Sequence, residues 1–257
     1  MTKVKTLLIA TFFLLCFALE ISAQPKINGL PKGAVVVETR KLLSPRHPNR
    51  SLLLWMINPK KNPTGYAPDE IYSCPDQTRG SHYSGPTRVS LINSASMTIV
   101  NTVTISTGDD DGDDFDLPYA IRKGNYYRVE ARVGQGVEAK PTIMGLKDYN
   151  GDGKALEFAL FEAEACMGLQ TTLIGYSEKQ DRVIQYPIRL ELIEGSKHST
   201  SVTRWADYLF SKKPLRPGFW RYEIDYRGRA GSLDKWELRY DAAREQFDGK
   251  LTVVPGE

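Results

Sequence analysis

Trp220-Arg221-Tyr222-Glu223-Ile224-Asp225-Tyr226, followed after a short interval by Lys235-Trp236-Glu237-Leu238-Arg239-Tyr240, decides the fold class. In both runs every second residue is aromatic or aliphatic and the residues between are charged. A period of two puts the large side chains on one face of an extended chain, whereas a helix would spread them around its axis. The same alternation recurs at Ile188, Leu190 and Leu192 against Arg189 and Glu191, and in Tyr127, Val129, Ala131 and Val133.

Turn signals separate these runs. Asn93-Ser94-Ala95-Ser96 joins residues 87–92 to 97–105, where Met97, Ile99, Val103 and Ile105 share a face. A polar turn at 177–181 joins 171–176 to 182–193, and a last strand covers 251–254. Upstream, 34–37 and 51–56 are short apolar runs, while 58–86 is rich in Pro, Gly, Asn, Ser and Asp and reads as a long loop. Many short strands at turn-marked intervals predict an all-β fold. It is either an antiparallel β-sandwich or a set of partial propeller-like blades, with at most one or two short helices. The hairpins around 97, 177 and 241 hint at repeated blades. Two segments are ambiguous. Residues 154–167 have good helix propensity but alternate like a strand, and the strand reading is preferred for 157–162; residues 203–210 read as a short helix carrying Trp205, Tyr208 and Leu209.

The N-terminus has the composition of a leader. Lys3 and Lys5 precede an apolar stretch at 7–19, and Ile21-Ser22-Ala23 offers a small residue at a cleavage point. The expected organisation is a signal peptide at 1–23, an entry and loop-rich segment at 24–86, and a β-rich domain at 87–257. The 34 basic and 31 acidic residues would become 32 and 30 without the leader, too even a balance to imply nucleic acid as partner. No later apolar run is long enough for a membrane span. The chain is therefore expected to be secreted or periplasmic. Cys74 and Cys166 would remain, one candidate disulfide in an oxidising compartment. Such a bond would close a loop of about 90 residues and stabilise the fold by about 4–5 kcal/mol on the chain-entropy model.

The chemically distinctive stretch is Asp148-Tyr149-Asn150-Gly151-Asp152-Gly153-Lys154-Ala155-Leu156-Glu157. Asp148, Asn150 and Asp152 supply side-chain oxygens at alternate positions, Lys154 a backbone carbonyl, and Glu157 a closing carboxylate. That set suits a hard cation such as Ca²⁺, with Gly153 permitting the bend. An EF-hand would need an acid at loop position twelve, which is Ala159, and Lys140-Pro141 interrupts the region before the loop. The stretch resembles instead the Asp-x-Asn-Gly-Asp-Gly loops of the FG-GAP/VCBS repeat family, over about residues 141–188. That resemblance implies propeller blades of extracellular proteins with Ca²⁺ held between strands; Glu157 stands one residue later than the family's usual closing acid. A second acidic run at 109–116 offers Asp109, Asp111 and Asp113 as a possible further metal site.

Signals for catalysis are sparse. His47, His82 and His198 are the only histidines; no nucleophile elbow, HExxH motif or phosphate-cradling loop occurs. Glu157, Glu162 and Glu164 offer paired carboxylates of the kind that hydrolyse glycosides. The aromatics from Trp205 to Tyr240 suit a core, with a subset able to form a binding face for sugars or proteins. The expectation is a non-catalytic extracellular interaction module with a structural Ca²⁺ loop and a protein or glycan partner. A carboxylate-dependent hydrolase acting on polysaccharide, or an envelope structural protein, is the alternative.

Overall fold

The structure, a computed structural model, describes residues 27–63, 81–106, 114–120, 127–129, 140–164, 168–227 and 231–256. Among them the regular elements are strands and a single 3-10 turn, as the alternating pattern predicts. The first sheet is built from β1 (Ala34–Lys41), β2 (Arg50–Ile57), β4 (Ser81–Asn93) and β5 (Thr98–Thr104), all paired antiparallel in that order. Part of the predicted loop at 58–86 is strand. β3 (Lys60–Asn62) and residues 81–86 of β4 are strand; β4 pairs with β3 and with β6 (Asp114–Ala120). Ser81-His82-Tyr83-Ser84-Gly85-Pro86 looks like loop by composition, but Gly85 and Pro86 mark the point where β4 passes from one set of partners to the other.

The second sheet centres on β10 (Gly168–Ser177). It pairs along one edge with β9 (Glu157–Glu164), and along the other with β11 (Arg182–Gln185) and β14 (Ala206–Asp207). The preferred strand reading for 157–162 is therefore what forms. The third sheet runs β13 (Lys197–Thr203), β12 (Ile188–Glu194), β17 (Gln246–Pro255), β16 (Ser232–Asp241), β15 (Phe219–Asp225). Its β12–β17 pair is parallel, with Ile188 opposite Phe247. A two-stranded ribbon of β7 (Arg128–Val129) and β8 (Pro141–Thr142) completes the set.

Two sequence expectations are corrected. Residues 182–193 are not one strand: the chain leaves the second sheet after Gln185 and enters the third at Ile188. Pro187 has no N–H to continue the ladder, and its carbonyl accepts the Phe247 N–H at 2.9 Å, which starts the new pairing. Residues 203–210 are not a helix. Trp205 follows β13, 206–207 form β14, and only Leu209–Ser211 turn as a 3-10 helix.

The second sheet is the middle of the sandwich and is buried on both faces. Phe158, Leu160, Ile174 and Tyr176 face a core shared with Leu52, Leu54, Val89 and Leu91 of the first sheet. Ala159 and Leu173, pointing the other way, face Trp220, Trp236, Leu238 and Phe247 of the third. In that second core Phe247 meets Tyr186, Phe210, Trp220 and Tyr240 at ring-centroid separations of 6.1, 5.6, 5.8 and 5.2 Å. The C-terminal aromatics are thus core rather than an open platform: Trp205, Phe210, Trp220 and Trp236 are buried and Tyr208, Phe219, Tyr222, Tyr226 and Tyr240 are partly so. The hairpins around 97, 177 and 241 belong to three sheets with different strand orders, so they are not copies of one blade.

Candidate functional site

The 148–157 stretch leaves the ribbon and enters β9, the edge of the middle sheet. Lys147 and Glu157 exchange both backbone hydrogen bonds, at 2.8 and 3.2 Å, and close its neck. Between them the side chains fold the loop on itself. Asp148 Oδ1 accepts from the N–H groups of Gly151 and Asp152 at 2.7 and 3.1 Å, and its Oδ2 from Gly153 at 3.0 Å. Asn150 Oδ1 accepts from Asp152 N–H at 2.9 Å, and Asp152 Oδ1 from Lys154 N–H at 2.9 Å. These are Asx-type turns in series. Gly151 and Gly153 both lie in the left-handed region, at φ +83° and +85°. A Cβ on Gly151 would stand 2.8 Å from the Pro217 carbonyl carbon, so the third sheet's approach segment presses on the loop.

Glu157 behaves differently from the other predicted ligands. Its side chain is fully buried, and it accepts from Tyr149 N–H at 3.0 Å and Asn150 Nδ2 at 3.1 Å. Both donors are neutral. Burial pushes its carboxyl up to about 8; Asp152 and Asp148 add to the rise, while the Tyr149 and Asn150 hydrogen bonds oppose it. Burial likewise raises Tyr149 to about 12. Lys154 turns outward to an ion pair with Glu178.

The donor set has the chemistry of a hard-cation site. Asp148 Oδ2, Asn150 Oδ1 and Asp152 Oδ1 each spend one lone pair on a loop N–H and keep another. Among the described residues, however, no three His, Cys, Asp or Glu side chains converge as a metal cage. A cation here would be held by Asp148 and Asp152 together with the Asn150 amide oxygen and the Lys154 carbonyl, with Glu157 beneath. Asp109, Asp111, Asp113, Cys74 and Cys166 lie outside the described residues.

The other expected sites separate. Glu157 and Glu162 are five residues apart on β9, which sets them on opposite faces of the strand. His82 is on β4 rather than in a loop, buried, with Nε2 3.4 Å from Asp116 Oδ2. His198 is exposed on β13, and His47 lies 3.9 Å from Asp181.

Beside the loop lies a groove that sequence reasoning missed. A cavity of about 450 Å³ is walled by Arg40, Arg128, Thr142, Met144 and Lys147. A smaller hollow of about 130 Å³ shares Arg128, Thr142 and Lys147 and is backed by Tyr149, Phe161 and Phe210. No carboxylate lines either among the described residues. Its walls come from β1, the β7–β8 ribbon, the 148–157 loop and β9, so no local pattern announces it. In comparisons with known proteins, no family model, no curated protein and no solved structure matches this chain.

Proposed function

We propose that this chain is a secreted, non-catalytic β-rich interaction module in which the 148–157 loop holds one structural Ca²⁺. The observation that carries the reading is the series of tight turns in which Asp148, Asn150 and Asp152 oxygens accept from the loop's own N–H groups, bent by Gly151 and Gly153. The loop's own N–H bonds pre-form that turn, so a cation entering it would order little further chain. Its charge would offset Asp148, Asp152 and the Glu157 carboxyl beneath them, and its binding energy would add to folding energy. The loop lies where the middle and third sheets meet, so fixing it would fix their junction. The leader-like N-terminus supports export, and extracellular modules bind Ca²⁺ with Kd of about 10⁻⁴–10⁻³ M.

The polysaccharide-hydrolase reading needs two acids in one cleft, and the opposed faces of Glu157 and Glu162 do not favour it. Calorimetric titration with Ca²⁺ tests the proposal. The wild type should bind one ion that Asp148→Asn/Asp152→Asn loses while keeping its far-UV spectrum. A second binding event surviving in that variant would point to Asp109, Asp111 and Asp113. Equal binding by the variant and wild type, or none by either, would overturn the loop assignment.

A further inference from the structure

Three features stand out beyond the loop. Phe219 is approached by the guanidiniums of Arg216, Arg221 and Arg239, at 5.2, 5.7 and 5.5 Å from the ring centroid, but Arg221 is paired with Glu237 and the surface is flat β-sheet. β13 presents an exposed sheet edge with nothing to say what would cover it. The groove beside the cation loop is the concave one, and it carries an inference.

Four observations converge there. First, Thr142 is 9% exposed and its Oγ1 is buried without a hydrogen-bond partner, yet Thr142 lines both the groove and its inner hollow. A buried hydroxyl left unpaired is uncommon, and a rotation about χ1 would turn this one from its hidden position toward a ligand in the groove that Thr142 lines. Second, Arg128 and Lys147 line both spaces, are exposed, and have no acidic partner within ion-pair distance among the described residues. The third cation, Arg40, is already matched by Glu38. Third, the inner hollow is backed by the partly buried rings of Tyr149 and Phe161, with Lys147 Nζ 5.7 Å from the Tyr149 centroid. Fourth, the walls are braced. Glu38 Oε2 accepts from the N–H groups of Ile143 and Met144 at 2.7 and 3.2 Å, which fixes the segment carrying Thr142. The Tyr127 hydroxyl donates to Phe161 O at 3.3 Å and accepts from Phe161 N at 3.1 Å, which ties the strand carrying Arg128 to β9.

We propose that this groove binds an acidic sugar unit of a polysaccharide. An anionic substituent sits between Arg128 and Lys147, Thr142 rotates about χ1 to bring its hydroxyl to a ring or hydroxyl oxygen, and the sugar ring packs on Tyr149 and Phe161. A guanidinium fork engages a planar oxyanion through two parallel bonds and an ammonium adds a point charge. Aromatic walls suit the apolar face of a sugar ring. The volume is in the range of small-ligand sites, about 300–1,000 Å³. A carboxylate on a uronate and a sulfate ester share this chemistry. The proposal deepens the interaction-module reading by naming the partner class, and it uses none of the cation-loop oxygens.

The test is titration of the full chain, in Ca²⁺-containing buffer, with trigalacturonate, a sulfated galactotriose and neutral galactotriose. Binding of one or both charged trisaccharides but not the neutral one is expected, and which of them binds identifies the anionic group. Arg128→Ala and Lys147→Ala should each weaken that binding about tenfold or more. Thr142→Val should weaken it several-fold with an unchanged melting temperature, because it removes a hydroxyl that has no partner in the free protein. Arg216→Ala/Arg239→Ala, at the remote arginine cluster, should leave it unchanged. Equal binding of neutral and charged sugars, insensitivity to Arg128 and Lys147, or no binding at all would overturn the groove assignment. Each of those results leaves the Ca²⁺ titration of the loop to be judged separately.

Discussion

Asp181 joins the first two sheets, and its removal gives a prediction with a calculable size. It sits at the end of the β10–β11 turn in the left-handed region, φ +49°. Arg50, at the start of β2, donates Nε to Oδ1 at 2.9 Å and Nη2 to Oδ2 at 2.5 Å, and Tyr176 donates its hydroxyl to Oδ1 at 2.8 Å. The Arg50 hydrogen bonds hold the Asp181 carboxyl down at about 2, against an ordinary 3.8, with Tyr176 and the nearby charges helping and burial opposing. That gap corresponds to roughly 2 kcal/mol. The side chain is 29% exposed, and solvent screening trims the figure to about 1–2 kcal/mol. A carboxyl whose pKa falls on folding stabilises the protein above its unfolded value. That contribution is present in full above about pH 4 and is lost as pH falls through about 2. Asp181→Asn, which tolerates the left-handed backbone, should cost about 1–2 kcal/mol at pH 6. Asp181→Ala should cost about 2–4 kcal/mol, because it also strands the Arg50 charge and the buried Tyr176 hydroxyl. Urea unfolding at pH 6 and pH 2.5 reads both. The difference between wild type and Asp181→Asn should shrink at the lower pH. A penalty under about 0.5 kcal/mol at pH 6, or one that does not change with pH, would refute the reasoning.

Three further substitutions probe the packing. Phe247→Ala removes a fully buried ring in contact with four others and should cost about 3–5 kcal/mol in denaturant unfolding. Gly175→Ala places a Cβ 2.7 Å from Glu157 Cγ and 3.1 Å from the Leu156 carbonyl, so it should destabilise by about 1–3 kcal/mol and weaken Ca²⁺ binding by shifting the strand under the loop. Gly151→Ala and Gly153→Ala share a left-handed backbone, but only the first collides with a neighbour. Melting temperatures should fall for both and further for Gly151→Ala; the reverse order would contradict the described packing of the loop on Pro217.

The strands legible in the sequence are those with one wet face. β15 and β16 alternate Trp220, Tyr222 and Ile224, then Trp236 and Leu238, with charges, because their outer face meets solvent. The middle strand β10 lacks that alternation for a physical reason: Thr171, Thr172, Leu173 and Ile174 are buried in succession between two cores. The sequence holds no local sign of the parallel β12–β17 pair, whose partners are nearly sixty residues apart. The break at Pro187 was available in principle, since a missing N–H seldom sits mid-ladder. Helix propensity at 203–210 lost to tertiary demands: Trp205 and Leu209 are buried in different cores, which one straight helical face would not serve. Of the loop, the turns built by Asp148, Asn150 and Asp152 are legible in the sequence because all their hydrogen-bond partners are local. The groove is not, because Arg128, Thr142 and Lys147 meet only after β7, β8 and the loop fold together.

The most direct measurement is thermal unfolding of the chain in EDTA and in 10 mM Ca²⁺. With a Kd near 10⁻⁴ M, ligand linkage predicts about 2.7 kcal/mol of stabilisation, a rise in Tm of roughly 5–10 °C. Asp148→Asn/Asp152→Asn should unfold at the same temperature in both buffers. A wild-type Tm that is indifferent to Ca²⁺, or a variant that keeps the full rise, would contradict the account of 148–157 as a structural cation loop.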